Sequence, residues 1–330
     1  MSELPSESVN LIVTSPPYPM IEMWDELFSG LNPQIGNALN KENGMMAYKL
    51  MNEELNKVWK EINRVLAHGG IACINIGDAT RKIGNTFQLY SNHSRITHYF
   101  EEMGFKVLPV ILWRKGTNKP TKYMGSGMLP PSAYVTLEHE YILIFRRGDN
   151  RRFSPKERIR RQKSAFFWEE RNLWFSDIWN DLRGISQELN HEDLRDRSAA
   201  FPFELAYRLI NMYSIQGDVV LDPFAGTGTT MLAAMCTARN SIAYELEQSF
   251  KKVIDWRVSE LLEFAEQIVR ERIEKHLSYI EEREKHKGEV KYISKVYGFK
   301  VISKQETNIL FPPIDTIRAT SANEFEVKYQ

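Results

Sequence analysis

The sequence predicts an α/β fold: a mostly parallel sheet with helices on both faces and an antiparallel edge hairpin. Three stretches carry that prediction. Near the start, Asn10-Leu-Ile-Val-Thr14 is an apolar run halted by Ser15-Pro16-Pro17-Tyr18. Two prolines give no N–H to a ladder and fix φ at about −65°, so a buried strand must end there. An amphipathic helix pattern over 45–66 then meets His68-Gly69-Gly70 and the apolar run Ile71–Ile76, the order of a parallel αβ unit. Far downstream, Val219-Val-Leu-Asp222 passes through Pro223-Phe224-Ala225-Gly226-Thr-Gly228 into an alanine-rich helix, a second unit of the same kind.

Length and composition narrow the function classes. At 330 residues the chain holds one large α/β domain, or a core with a smaller one. Its formal net charge is zero, so it carries no global signature of polyanion binding, although a neutral sum hides local asymmetry. No apolar run approaches the roughly 18 residues of a membrane span, and no membrane partner is expected. The acidic opening Met1–Glu7 lacks the basic-then-apolar pattern of a signal peptide. Cys73 and Cys236 sit among apolar residues and read as buried core thiols, too few for a four-ligand zinc site. No metal is expected, and an intracellular, reducing location is.

In chain order, Ser29–Gly44 is rich in Asn and Gly and reads as a loop. Leu50, Leu55, Val58, Trp59, Ile62, Val65 and Leu66 fall at helical spacing, and the glycines after them read as the helix stop. Residues 86–103 read as a second helix. The strands 105–113 and 139–145 read as the antiparallel edge pair, with a polar loop from Lys115 to Ser132 between them. Residues 198–216 form a helix with Phe201-Pro202 at its start, where proline is tolerated. From Leu246 to about Lys287 the chain reads as charged and helical, with one apolar stripe. The last forty residues read as ordered, with no assigned chemistry.

Two further stretches bear on function. Between Arg146 and Lys163 nine basic residues face two acidic ones, a local charge of +7, followed by Phe166, Phe167, Trp168, Trp174, Phe175 and Trp179. Arg151, Arg152, Lys156, Arg158, Arg160 and Arg161 are therefore candidate phosphate contacts on nucleic acid. A solvated helix face backed by an aromatic mini-core reads the same residues as well. The second is the Gly226-Thr-Gly228 turn, which lets a backbone approach a nucleoside closely. Glu245 ends the next strand, 23 residues after Asp222, near the spacing at which an acid holds ribose hydroxyls; as a helix cap it has a structural reading too. The absence of Gly-Lys-Ser/Thr disfavours a P-loop.

Together, Thr14-Ser-Pro-Pro-Tyr18 and Asp222-Pro-Phe-Ala-Gly-Thr-Gly-Thr-Thr230 resemble the catalytic and cofactor loops of the S-adenosylmethionine-dependent DNA amino-methyltransferases. The catalytic loop precedes the cofactor loop, which resembles the beta arrangement, a circularly permuted motif order on a Rossmann-like methyltransferase sheet. Ser15 at the first loop position resembles N4-cytosine members more than N6-adenine ones. The similarity spans roughly 9–245, taking in Arg64–Gly70, Gly77-Asp78, His139–Phe145 and Arg197–Pro202. Members often carry a Gly-Asp segment ahead of the catalytic loop; here that loop lies close to residue 1, and the last forty residues are candidates for the missing strand.

The resemblance implies methyl transfer from S-adenosylmethionine to a base flipped out of double-stranded DNA, with a cognate restriction endonuclease as a possible partner. Ser15, Pro16, Pro17 and Tyr18 would form the catalytic loop. Phe201, Pro202, Asp222, Pro223, Phe224, Ala225, Gly226, Gly228 and Glu245 would hold the cofactor. It divides the chain into a catalytic half (1–114), a target-recognition insertion with a core strand (115–195), a cofactor half (196–246) and a C-terminal extension (247–330). N6-adenine methylation and a non-catalytic nucleic-acid-binding module are the rival expectations. Neither cysteine lies in a Pro-Cys loop, which argues against carbon-5 cytosine chemistry.

Overall fold

Strand β1 (Val9–Thr14) is the axis of the central sheet. The computed structural model describes residues 1–115, 124–182 and 201–330. Leu11 and Val13 join one core and Ile12 the other, so both faces of the strand are covered, as in a parallel sheet wrapped by helices.

The span expected to be a loop instead holds the last three residues of α1 (Asp25–Leu31) and all of α2 (Pro33–Asn40). Its polarity misled because Asn32 is a cap: its side chain accepts from the Gln34 N–H at 3.1 Å, with Pro33 at the first helical position. Helix α3 (Gly44–Val65) buries Ala47, Met51, Leu55, Trp59 and Ile62 and runs straight into β2 (Leu66–Ile76). The glycines are therefore no helix stop. They lie where the pairing shifts from Val9–Leu66 to Leu11–Ile71, a bulge in β2. Gly69 sits at φ +79°, and a Cβ there would meet the Arg151 main-chain nitrogen at 2.6 Å.

The first half of the helix expected over 86–103 is also corrected. Strands β3 (Ala79–Ile83) and β4 (Thr86–Tyr90) pair antiparallel across Gly84-Asn85, and α4 (Asn92–Glu102) begins only after them. A glycine at the first central position of a two-residue turn is a hairpin signal that outweighs helical spacing. Next come β5 (Lys106–Val107), β6 (Ile111–Arg114), the small pair β7 (Met124–Gly125) and β8 (Ala133–Tyr134), and β9 (His139–Arg146). β5 and β6 pair antiparallel with β9 as expected. They are not the edge, because β10 (Ile178–Trp179), reached through α5 (Pro155–Lys163) and α6 (Trp168–Trp174), adds parallel to β6.

The second half supplies α7 (Phe203–Tyr213), β11 (Val219–Asp222), α8 (Thr229–Met235), β12 (Asn240–Ala243), α9 (Phe250–Ser259) and α10 (Leu261–Lys287). The stretch expected to be helical from 246 holds two helices, parted at Glu260, and the strand expected to reach Glu245 ends at Ala243. The sheet order is β10-β6-β9-β2-β1-β11-β12. The C-terminal pairs β13 (Tyr292–Ile293) with β14 (Lys300–Val301), and β15 (Ile314–Ser321) with β16 (Glu324–Tyr329), stay outside it. They do not supply a central strand. Ile314, Ile317, Phe325 and Val327 instead pack on the core of α7 and α8. Among the described residues no helix is long and apolar enough to cross a membrane.

Candidate active site

Among the described strands of the sheet only β9 runs against the others. Thr14, Ile76, Arg114 and Asp222, at the ends of their strands, and Glu140, near the start of β9, therefore lie along one edge. Strand order reverses between β1 and β11, and such a reversal opens a crevice at the carboxyl ends. Both special loops leave the sheet at that point.

In the proline loop Pro16 is buried and Ser15, Pro17 and Tyr18 are half-buried. The Tyr18 ring lies over Gly77, where a Cβ would crowd it, standing 3.0 Å from Tyr18 Cε2. Since a carboxylate only accepts, the Tyr18 hydroxyl donates to Glu140 at 2.8 Å. The Tyr18 oxygen then accepts from Ser15, 3.1 Å away. Ser15 thus directs its proton inward, and its oxygen, which accepts from the Asn75 amide at 3.4 Å, keeps a lone pair for a ligand. Burial, and then the charge on Glu140, push the Tyr18 phenol well above its ordinary range, so it remains a donor.

Asn75, 2% exposed, donates to Glu140 at 2.6 Å and reaches the Tyr18 oxygen at 2.8 Å. Lys115 closes the network with an ion pair to the other Glu140 oxygen. Asn92 fixes the loop exit, donating to the Pro19 and Gly77 carbonyls at 3.1 and 2.9 Å. None of these residues was singled out from the sequence. The signal existed for two: Asn75 is the lone polar residue of Ile71–Ile76, and Glu140 the one acid of 139–145.

Asp222 joins the two loops. Its buried carboxylate accepts from Thr14 at 2.5 Å, from Thr230 at 2.8 Å and from the Phe224 N–H at 3.0 Å. Thr230 reaches on to the Val13 carbonyl at 3.1 Å. Burial raises the Asp222 carboxyl to about 6, against these three donors. The side chain expected to hold cofactor is spoken for: it pins the end of β1 to the start of the glycine loop.

The matching family profile, described as a DNA methylase of the N6/N4 methyltransferase type, covers residues 9–255. The chain belongs to the N6/N4 DNA methylase family. It is 58% identical over 332 residues to the Type II methyltransferase M.MthZI of Methanothermobacter thermautotrophicus, spanning 100% of this chain and 92% of that protein. It is 53% identical over 269 residues to the Type II methyltransferase M.MjaI of Methanocaldococcus jannaschii, spanning 78% and 88%. A Thermus thermophilus protein solved with S-adenosyl-L-methionine superposes with a TM-score of 0.61 at 30% identity, covering 79% of this chain and 89% of that one. This protein is accordingly an S-adenosylmethionine-dependent DNA amino-methyltransferase on a Rossmann-like sheet.

The methylase's glycine loop fits that cofactor. Gly226 has φ +51°, and a Cβ built on it would meet no atom within 4 Å, so the loop presents open backbone. Its N–H donates to Glu245 at 2.6 Å, which places this exposed carboxylate at the cradle's rim. The Ala225 N–H donates to the Tyr244 carbonyl, Pro223 follows the pinned Asp222, and Phe224 turns edge-on to Trp59 at 6.0 Å. Gly228, at φ +77°, caps α8. Phe201 and Pro202 are buried at the start of α7, which runs back along the sheet from its carboxyl edge; the neighbouring residues 197–200 of the expected segment lie outside the described residues. Arg257 of α9, missed in the sequence, donates to the Thr227 carbonyl at 2.8 Å and to the Thr227 and Thr229 hydroxyls at 3.0 Å. Burial lowers it to about 10, and no acid pairs with it among the described residues.

The basic candidates are not at this site. Arg151 makes a bidentate pair with Asp218 at 2.7 and 2.9 Å and a third bond to Glu157 at 2.8 Å. Asp218 immediately precedes β11, so this pair marks the opposite, amino edge of the sheet. α5 lies there as well, its C-cap Ser164 accepting from the Gln216 N–H at 2.9 Å. Arg152, Lys156, Arg158, Arg160 and Arg161 are exposed on that edge. They cannot read a base held at Ser15. The remaining parts of the expected recognition insertion, 116–123 and 183–195, lie outside the described residues. Cys73 and Cys236 are buried, and burial pushes the Cys236 thiol to about 12; neither is a nucleophile.

Proposed function

We propose that this methyltransferase acts on the N4 amine of a cytosine flipped out of duplex DNA, with Ser15 Oγ and the Pro16 carbonyl receiving the amine hydrogens. The observation that carries this reading is the orientation of Ser15, whose proton is committed to Tyr18 while Tyr18 commits its own to Glu140. The cytosine amine is a weak nucleophile because its lone pair is delocalised into the ring. Two fixed acceptors draw it towards a tetrahedral geometry, and the prolines fix them. S-adenosylmethionine supplies the electrophilic methyl group when bound. The half-buried Tyr18 ring would stack on the extruded base, since an amine inside a duplex is out of reach. A restriction endonuclease cutting the same sequence is the partner proposed with this activity.

Incubation of the purified protein with unmethylated genomic DNA and cofactor, followed by mass spectrometry of the nucleosides, tests the reading. N4-methylcytosine is expected. N6-methyladenine in its place would refute the base assignment. Cofactor binding with no modified base would favour the non-catalytic module.

A further inference from the structure

The basic and aromatic stretch left without a role at the carboxyl edge lines a large cleft at the amino edge. The cleft encloses about 1100 Å³ between α5, α6, the end of α7 and the C-terminal β13–β14 module. One wall carries Arg158, Arg161 and Arg171, the other Lys295 and Lys304, all exposed. None of the five makes an ion pair among the described residues. Arg151 also lines the cleft but is neutralised by Asp218 and Glu157. The one acid lining it among the described residues, Glu306, is 2% exposed, and its two oxygens accept the Trp168 and Ser303 N–H groups at 2.9 and 2.6 Å. It offsets little of the charge facing the solvent.

The rings in the cleft favour phosphates over bases as the ligand. The guanidiniums of Arg151 and Arg161 lie over the Phe153 ring, 5.0 and 4.7 Å from its centroid, and Phe166 packs on Trp174 and Phe175. Of the rings that line the cleft, Trp168 is left exposed, a single platform beside those five cations. We propose that this cleft holds the phosphate backbone of a second stretch of duplex DNA, away from the stretch that delivers the target base. The paired residues 71–76 of β2 alone put roughly 17 Å between the two edges, about five base pairs of B-DNA, so the phosphates held in the cleft are not those flanking the target base. Such a site keeps the methyltransferase on DNA between turnovers. The inference rests on the DNA methylase family, not on the choice of base.

The test is fluorescence anisotropy with a labelled 30-base-pair duplex of arbitrary sequence, titrated at several salt concentrations. The triple variant Arg158→Gln, Arg161→Gln, Lys304→Gln is compared with the native chain, with thermal unfolding as a control on folding. Each lost phosphate contact lowers the log–log salt slope by about 0.9, so a drop of roughly 2 to 3 is expected, with at least tenfold weaker binding at low salt. A second variant, Lys295→Glu with Lys304→Glu, perturbs the opposite wall and should act alike if the first misfolds. Unchanged affinity and slope would overturn the proposal. So would AMP competing with the duplex at equal concentration, which would assign the cleft to a mononucleotide. A wrong base assignment would alter the modified nucleoside and leave these slopes as they are.

Discussion

Replacing Thr14 by valine tests how the two loops are joined. The side chains are nearly isosteric, and Thr14 is 1% exposed, so the change removes one hydrogen bond and opens no cavity. Asp222 then keeps only Thr230 and the Phe224 N–H. A hydrogen bond to a charged group contributes about 1.5–3 kcal/mol and a neutral one about 0.5–1.5. The cost therefore depends on the charge of Asp222. Its folded pKa is raised from 3.8 to about 6, so the folded state binds the proton more tightly. The stability this group contributes is full below 3.8 and falls as pH rises to about 6. Loss of the Thr14 donor moves the upper limit of that window higher still, by about one to two units at about 1.4 kcal/mol each. Urea unfolding should show a deficit of about 1.5–3 kcal/mol at pH 8 and roughly half of that at pH 5. Equal deficits at the two pH values, or less than about 0.5 kcal/mol at pH 8, would refute the stitch.

Other substitutions separate binding from chemistry. Ser15→Ala should leave cofactor affinity in calorimetry within about twofold and reduce methyl transfer by about a hundredfold or more, as for loss of one fixed acceptor; full activity would remove Ser15 from the mechanism. Glu140→Gln can donate as well as accept, which scrambles the chain of hydrogen bonds, and should lower kcat at nearly unchanged KM for DNA. Arg257→Met should weaken cofactor binding by about tenfold, or about 1.4 kcal/mol, because it unbraces Thr227 and Thr229; unaltered affinity would make Arg257 merely a packing residue. Arg272 and Glu170 form a buried bidentate pair, with Arg272 also donating to the Tyr207 hydroxyl at 3.1 Å. Arg272→Met strands the acid and should cost about 3–5 kcal/mol in denaturant unfolding, and Glu170→Met added to it should restore most of that.

The parts legible in the sequence were those with local causes. Prolines 16 and 17 ended β1 where they had to, and the Asp-to-Gly-Thr-Gly turn opened a helix where its φ values demanded glycine. The misread parts turned on local signals set against composition or spacing. Ser29–Gly44 looked like loop until Asn32 and Pro33 proved to be a cap and a helix start, and 86–90 looked helical until Gly84 made a hairpin. His68-Gly69-Gly70 marks a bulge because another backbone passes within touching distance of Gly69, a contact 82 residues away in the chain. The site divided in the same way. Its loops could be read, whereas Thr14, Asn75, Glu140 and Arg257 act through partners brought together only by the sheet order. Arg151 showed the converse, a basic residue in a basic run whose charge is consumed by Asp218.

Thr14 and Asp222 join two loops 208 residues apart, and cytosine N4 is the amine we propose for the site they form. The most direct measurement is mapping of modified positions in the DNA of a host that expresses the protein. N4-methylcytosine at one position of a single short recurring sequence, absent when Ser15→Ala is expressed instead, is the predicted result. N6-methyladenine alone, or methylation that survives Ser15→Ala, would contradict it.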